Sequence, residues 1–103
     1  MNTPTLSNGQ RQFLRRLAHD LKPMTQVGKH GVTASVIASC DEQLRAHELL
    51  KVKFLGHPDD QRDLAEELAA ATRAILVSAI GGTIVLYRPN PEPERQRIVL
   101  PRP

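Results

Sequence analysis

The sequence predicts a small α/β domain, a single open-faced sandwich with element order α-β-α-β-α-β-β and a four-stranded mixed sheet. Three observations predict it. Apolar residues recur at helical spacing in three stretches, residues 49–55 alternate with period two, and two β-branched runs are separated by Gly81-Gly82. The 103 residues suffice for one domain with one modest core. A chain of this size buries about 60–65% of its unfolded surface, which leaves little material for a two-lobed catalytic cleft.

The first helix opens at a capping box, Ser7 to Gln10, and carries Phe13, Leu14, Leu17, Ala18 and Leu21 on one side until Lys22-Pro23 closes it. Arg11, Arg15 and His19 share a different face, with Arg16 and Lys22 beside it. The plain alternative for each of these is a solvated helix surface. Met24 to Val27 is short and apolar and reads as a strand. Thr33 caps the second helix, with Val32 and Ile37 placed as a hydrophobic staple, and the helix is expected to run to about Ala46. Its stripe is Val36, Ile37, Cys40 and Leu44, which makes Cys40 a core residue rather than a nucleophile.

In the next strand Leu50, Val52 and Phe54 point one way and Lys51 and Lys53 the other, so one sheet face is partly wet. Pro58-Asp59-Asp60 starts a third helix with a core stripe of Leu64, Ala65, Leu68 and Ala71. Its acids read as a solvated face, not as metal ligands. Ile75–Ile80 and Thr83–Tyr87 form a hairpin, and right-handed crossovers place the second and third helices on one side of the sheet. The domain is expected to span residues 1–89. From Pro89 onward the chain holds five of its eight prolines, so residues 90–103 are expected to form a flexible tail whose removal leaves the domain folded.

Charge is unevenly distributed. The net charge is +3, but residues 1–58 carry +4 and residues 59–73 carry −3. A polarised basic chain points to an anionic partner held by one face. Within the basic half, Gly28-Lys29-His30-Gly31 forms a G-x-x-G loop directly before the Thr33-capped helix. Glycines let a phosphate backbone come close, Lys29 supplies charge, and the helix start offers unpaired N–H groups and a favourable dipole. The plain alternative is a turn between strand and helix.

Several chemistries are disfavoured. A single cysteine allows no internal disulfide and no zinc cluster. His19, His30, His47 and His57 show no nucleophile-base spacing, no H-E-x-x-H and no G-x-x-x-x-G-K-[ST] loop. Neither a secretion signal nor an apolar span is visible. The expectation is a soluble, cytoplasmic, monomeric binding protein with no catalytic residue, metal, cofactor or membrane contact.

Several motifs in order then resemble the CRM (chloroplast RNA splicing and ribosome maturation) domain family in its stand-alone bacterial, YhbY-like form. They are Arg11-Gln12-Phe13-Leu14-Arg15 with Leu17-Ala18-His19, Leu21-Lys22-Pro23, Val27 to Thr33, His47 to Lys53, Ile80-Gly81, and Val85 to Pro89. The resemblance covers roughly residues 7–89. It implies an RNA-binding fold similar to the C-terminal domain of translation initiation factor 3, RNA contact by Gly28, Lys29, His30 and Gly31, and association with large-subunit ribosome precursors. Gly82 departs from the bulkier residue expected after Ile80-Gly81, which softens the hairpin.

With only Phe13, Phe54 and Tyr87 as aromatics, the chain lacks a platform for stacking single-stranded bases, so binding should rest on phosphates, 2′-hydroxyls and shape. Arg11, Arg15, Lys22 and Lys29, with Lys51, Lys53 and Arg88 on the exposed sheet face, complete the expected RNA surface. A KH-like module, whose G-x-x-G joins two helices, and a protein-interaction module, whose binding responds little to salt, are the alternatives.

Overall fold

The computed structural model of the protein describes residues 5–56 and 59–103. The expected helix start at Pro58, and His57 before it, lie outside them. Helix α1 spans Asn8–His19 because its capping box closes: Ser7 Oγ accepts the Gln10 N–H at 3.1 Å and Gln10 Oε1 accepts the Ser7 N–H at 3.0 Å. Strand β1 is Thr25–Val27 and helix α2 is Ala34–His47, with Thr33 Oγ1 accepting the Val36 N–H at 3.2 Å. Strand β2 (Leu49–Phe54), helix α3 (Gln61–Thr72), strands β3 (Ile75–Ile80) and β4 (Thr83–Tyr87) and a short 3₁₀ turn (Pro93–Arg95) follow. Gly81 at φ +60° takes the first central position of the hairpin.

The sheet order is β1-β2-β4-β3, with β1 parallel to β2 and β4 antiparallel to both its neighbours. Helices α2 and α3 cover one face. There Val27, Leu50, Val52, Phe54, Ile84 and Leu86 of the sheet meet Cys40 and Leu44 of α2 and Ala65, Leu68 and Ala69 of α3. The expected stripe of α3 is shifted, since Ala71 is exposed and Ala69 and Thr72 are buried. Cys40 is fully buried, and burial pushes its thiol up to about 11, so it stays protonated at neutral pH.

The second face is wet over only part of its length. Leu14 and Ala18 of α1 pack with Leu49, Val77, Val85 and Tyr87, and Leu6, Ile98 and Leu100 join this cluster. Leu17 and Leu21, expected in the core stripe of this helix, are 41% and 39% exposed.

The flexible tail expected for residues 90–103 is corrected by the structure. The carboxylate of Glu48 accepts the backbone N–H groups of Asn90 (2.7 Å), Arg97 (2.6 Å) and Ile98 (3.0 Å), and Gln10 Nε2 donates to the Pro101 carbonyl at 2.9 Å. Proline density alone argued for disorder, but a buried carboxylate and two apolar side chains suffice to dock an extended chain. Removing residues 91–103 should therefore cost about 2–4 kcal/mol, because Glu48 loses donors and the α1-side cluster loses apolar cover. Denaturant unfolding checks this. Glu48→Ala and the truncation, which share the bonds from Arg97 and Ile98, should fall short of additivity when combined.

Candidate nucleic-acid interface

The G-x-x-G loop joins β1 to α2. It is closed by the Gly31 N–H donating to the Gly28 carbonyl at 3.0 Å. Gly31 sits at φ +71°, and a Cβ there would meet Leu64 Cδ2 at 3.7 Å, an ordinary contact, so the glycine is required by its backbone conformation. A Cβ on Gly28 would meet nothing within 4 Å, which leaves its surface open to approach from outside. Lys29 and His30 are exposed at the tip, and neither makes a hydrogen bond or ion pair with another described residue. Contact with Leu64 sets the first turn of α3, with Asp60 and Asp63, beside the loop. An anion is therefore favoured only from the opposite side, over the sheet.

That side presents an open rung of the sheet. The registers Gln26↔Lys53, Lys53↔Thr83 and Ile80↔Thr83 align four residues across all four strands. Lys53 alternates with the core residues Val52 and Phe54, so the rung lies on the face that α1 covers further along, and here Gln26, Lys53 and Ile80 are exposed. Lys51, two residues earlier on the same face, places Nζ 3.4 Å from the His19 carbonyl at the end of α1. Lys22 is exposed just beyond that helix end. Lys22, Lys51, Lys53 and Lys29 thus follow the β1–β2 side of the domain from the end of α1 to the loop, and none has a carboxylate partner among the described residues. Arg15 is exposed too, and with Gln12, Arg16 and His19 it borders a shallow polar depression on α1.

Two expected members of the surface are committed elsewhere. Arg11 Nη1 donates to the carbonyls of Leu76 and Val77 at 2.8 and 2.7 Å, where β3 carries a bulge against β4. The extra residue of a bulge leaves ladder groups unpaired, and the guanidinium satisfies two of them. Arg88, expected on the exposed sheet face, lies on the other one. It follows Leu86 by two positions and points with it to the α2–α3 side, where Nη1 reaches Asp41 Oδ1 and the Thr72 carbonyl, each at 2.7 Å. Only strand register shows that Gln26 and Thr83 flank Lys53, with Ile80 one strand beyond Thr83, so the sequence alone did not offer these three as neighbours of the lysine.

Comparisons with known proteins identify the family. Residues 6–88 match the CRS1 / YhbY (CRM) domain. The chain belongs to that family. An RNA-binding protein of Haemophilus influenzae is 41% identical over 99 residues, covering 95% of this chain and 97% of its own. A probable RNA-binding protein of Bacillus subtilis is 44% identical over 97 residues, covering 93% of this chain and 99% of its own. The solution structure of a hypothetical protein of Staphylococcus aureus superposes with a TM-score of 0.80 at 42% identity, covering 94% of this chain and all of that one. As a CRM domain, the protein sets its G-x-x-G between a strand and a helix, which separates it from the KH arrangement.

Two predictions follow from the placed residues. Gly31→Ala, forced into the left-handed region, should lose about 1 kcal/mol of stability, whereas Gly28→Ala should stay within about 0.5 kcal/mol of the parent in urea unfolding. The hydrogen bond from Arg88 holds the Asp41 carboxyl below the ordinary carboxylate value, outweighing the burial that raises it. A depressed pKa contributes stability above the unfolded value, about 3.9, that is lost as pH falls through the folded value. Asp41→Asn should therefore lower stability near pH 7 and flatten the acid limb below about pH 4. The effect is modest because the Asp41 side chain is 39% exposed. Superimposable stability curves of parent and variant against pH would show that the pair contributes nothing.

Proposed function

We propose that this protein is an RNA-binding protein that grips the backbone of structured RNA with Gly28–Gly31 and the adjoining lysines, and that its target is large-subunit ribosomal RNA during particle assembly. The observation that carries this reading is the run of uncompensated cations from Lys22 through Lys51 and Lys53 to Lys29, ending at a glycine loop beside a helix N-terminus. The RNA-binding descriptions of the Haemophilus and Bacillus relatives support the choice of RNA as the anion. The ribosomal target rests on the family resemblance of the G-K-H-G loop and its flanking motifs. The protein acts as a monomeric cytoplasmic binder, with no catalytic step.

The aromatic side chains support backbone recognition over base stacking, since Phe54 and Tyr87 are buried and Phe13 packs against the α1-side cluster. Gln26 and Thr83 on the open rung offer hydrogen bonds suited to 2′-hydroxyls, and Lys53 between them suits a phosphate.

Four or five phosphate contacts imply a slope of log K against log salt of roughly −3 to −4. Lys29→Glu should leave the fold intact, weaken RNA binding about tenfold or more, and reduce that slope by nearly one. Arg62→Glu on the acidic helix is the control, because among the described residues Arg62 pairs only with Glu66, at 3.5 Å on an exposed face. Equal loss in both variants would show that the loop is only a turn. Fractionating ribosomal particles and probing each for the protein tests the target, and sedimentation away from large-subunit precursors would reject it.

A further inference from the structure

A groove of about 390 Å³ opens where the end of α1, the start of β1, the end of α2 and the C-terminal segment meet. Its walls include Leu17, Leu21 and Met24, which are 41%, 39% and 59% exposed. Large apolar side chains left in water on a domain this small mark a binding surface. The ammonium groups of Lys22 and Lys51 also line the groove, with the His47 imidazole, and no carboxylate does so among the described residues. Gln43 lines the groove with Leu49, Leu50 and Ile98, and its Oε1, buried and without a hydrogen bond from any described residue, meets a ligand only when the side chain turns toward the groove. A buried acceptor without a donor is unfavourable in the free protein, so a ligand that brings an N–H group is favoured there.

We propose that this groove receives one unpaired nucleotide of the bound RNA, with its base between Leu17, Leu21 and Met24, a base N–H or amino group on Gln43 Oε1 once that side chain turns toward the groove, and its phosphate on Lys22 and Lys51. The proposal rests on the RNA reading above and extends it from shape to an unpaired position. A nucleobase combines apolar faces with a polar edge, and an extruded base is held by apolar side chains and hydrogen bonds to that edge. The apolar face of a protein helix would fit the walls but leave the Gln43 oxygen unpaired and meet the two lysine cations without need of them. The groove is continuous with the proposed backbone surface, because Lys51 at its rim and Lys53 on the open rung lie two residues apart on one strand face, about 7 Å. Paired RNA on the rung and an extruded nucleotide in the groove can thus be held together.

The test compares a hairpin RNA carrying one unpaired adenosine within its duplex with the fully paired hairpin. Wild-type protein should bind the bulged RNA about tenfold more tightly, and 2-aminopurine at the bulge should change its fluorescence on binding. Gln43→Leu, which alters no charge, and Leu21→Glu, at a partly exposed position, should both abolish this preference. Gln43→Leu should bind the paired hairpin as the parent does, and melting curves verify that both variants fold. Lys29→Glu should weaken both RNAs alike and leave the preference. If wild type binds both RNAs equally while Lys29→Glu still weakens them, the groove assignment is overturned and RNA binding stands; a helix of a protein partner is then the better occupant. If neither RNA binds, both readings fall.

Discussion

The three backbone N–H groups held by the carboxylate of Glu48 organise the rest of the molecule. Glu48 is 2% exposed and sits at the junction of α2 and β2 with φ +66°, in a conformation that side chains other than glycine seldom take. Its own N–H caps α2 by donating to the Leu44 carbonyl at 2.8 Å, and its carbonyl accepts the Arg88 N–H at 2.8 Å as the chain leaves β4. A buried carboxylate is tolerated only if its acceptor sites are filled. The donors come from Asn90, Arg97 and Ile98, so the condition for burying Glu48 is also the condition for folding the C-terminal segment back onto the domain. Tyr87 registers the same environment, because burial, and secondarily the charge of Glu48, push its phenol above the ordinary value.

Docking that segment decides how much of the second sheet face remains available. Ile98 and Leu100 extend the layer begun by α1, while Arg11 on the β3 bulge and Gln10 on the Pro101 carbonyl fix that helix in place. Helix α1 ends at His19, whose carbonyl already meets Lys51, and the face beyond is uncovered. The cationic surface is thus what remains of a sheet face after a helix and a tail have covered the rest. Lys53 stays exposed and Lys51 half-buried because no apolar element among the described residues reaches over them.

The elements were legible in the sequence because each is specified locally. The Ser7–Gln10 box, the Thr33 cap, the alternation around Lys51 and Lys53 and the Gly81-Gly82 turn all act within a few residues. Errors arose where long-range partners decide. Nothing near Glu48 announces that its donors lie more than forty residues away. Arg11 looked like a surface cation because a β-bulge, and the carbonyls it frees, cannot be seen without strand register. Arg88 is different, since parity with Leu86 already placed it on the α2–α3 side. Counting alternate residues from a known core position would have removed it from the candidate surface.

The same separation of local and long-range information bears on what kind of RNA reader this domain can be. Phe13, Phe54 and Tyr87 all contribute to cores, so no phenyl or phenol ring is available on the surface to hold a base by stacking. The exposed recognition groups are instead amines, an imidazole, an amide and a hydroxyl on rigid strand positions and a short glycine loop. Such groups measure where phosphates and sugars lie, and they are indifferent to which base is attached. The acids of α3 beside the loop restrict the approach to one side and so give that measurement a direction. Discrimination among RNAs must then come from the shape presented along that direction. A domain with so little base-reading chemistry is suited to sites defined by a fold of RNA rather than by a string of bases.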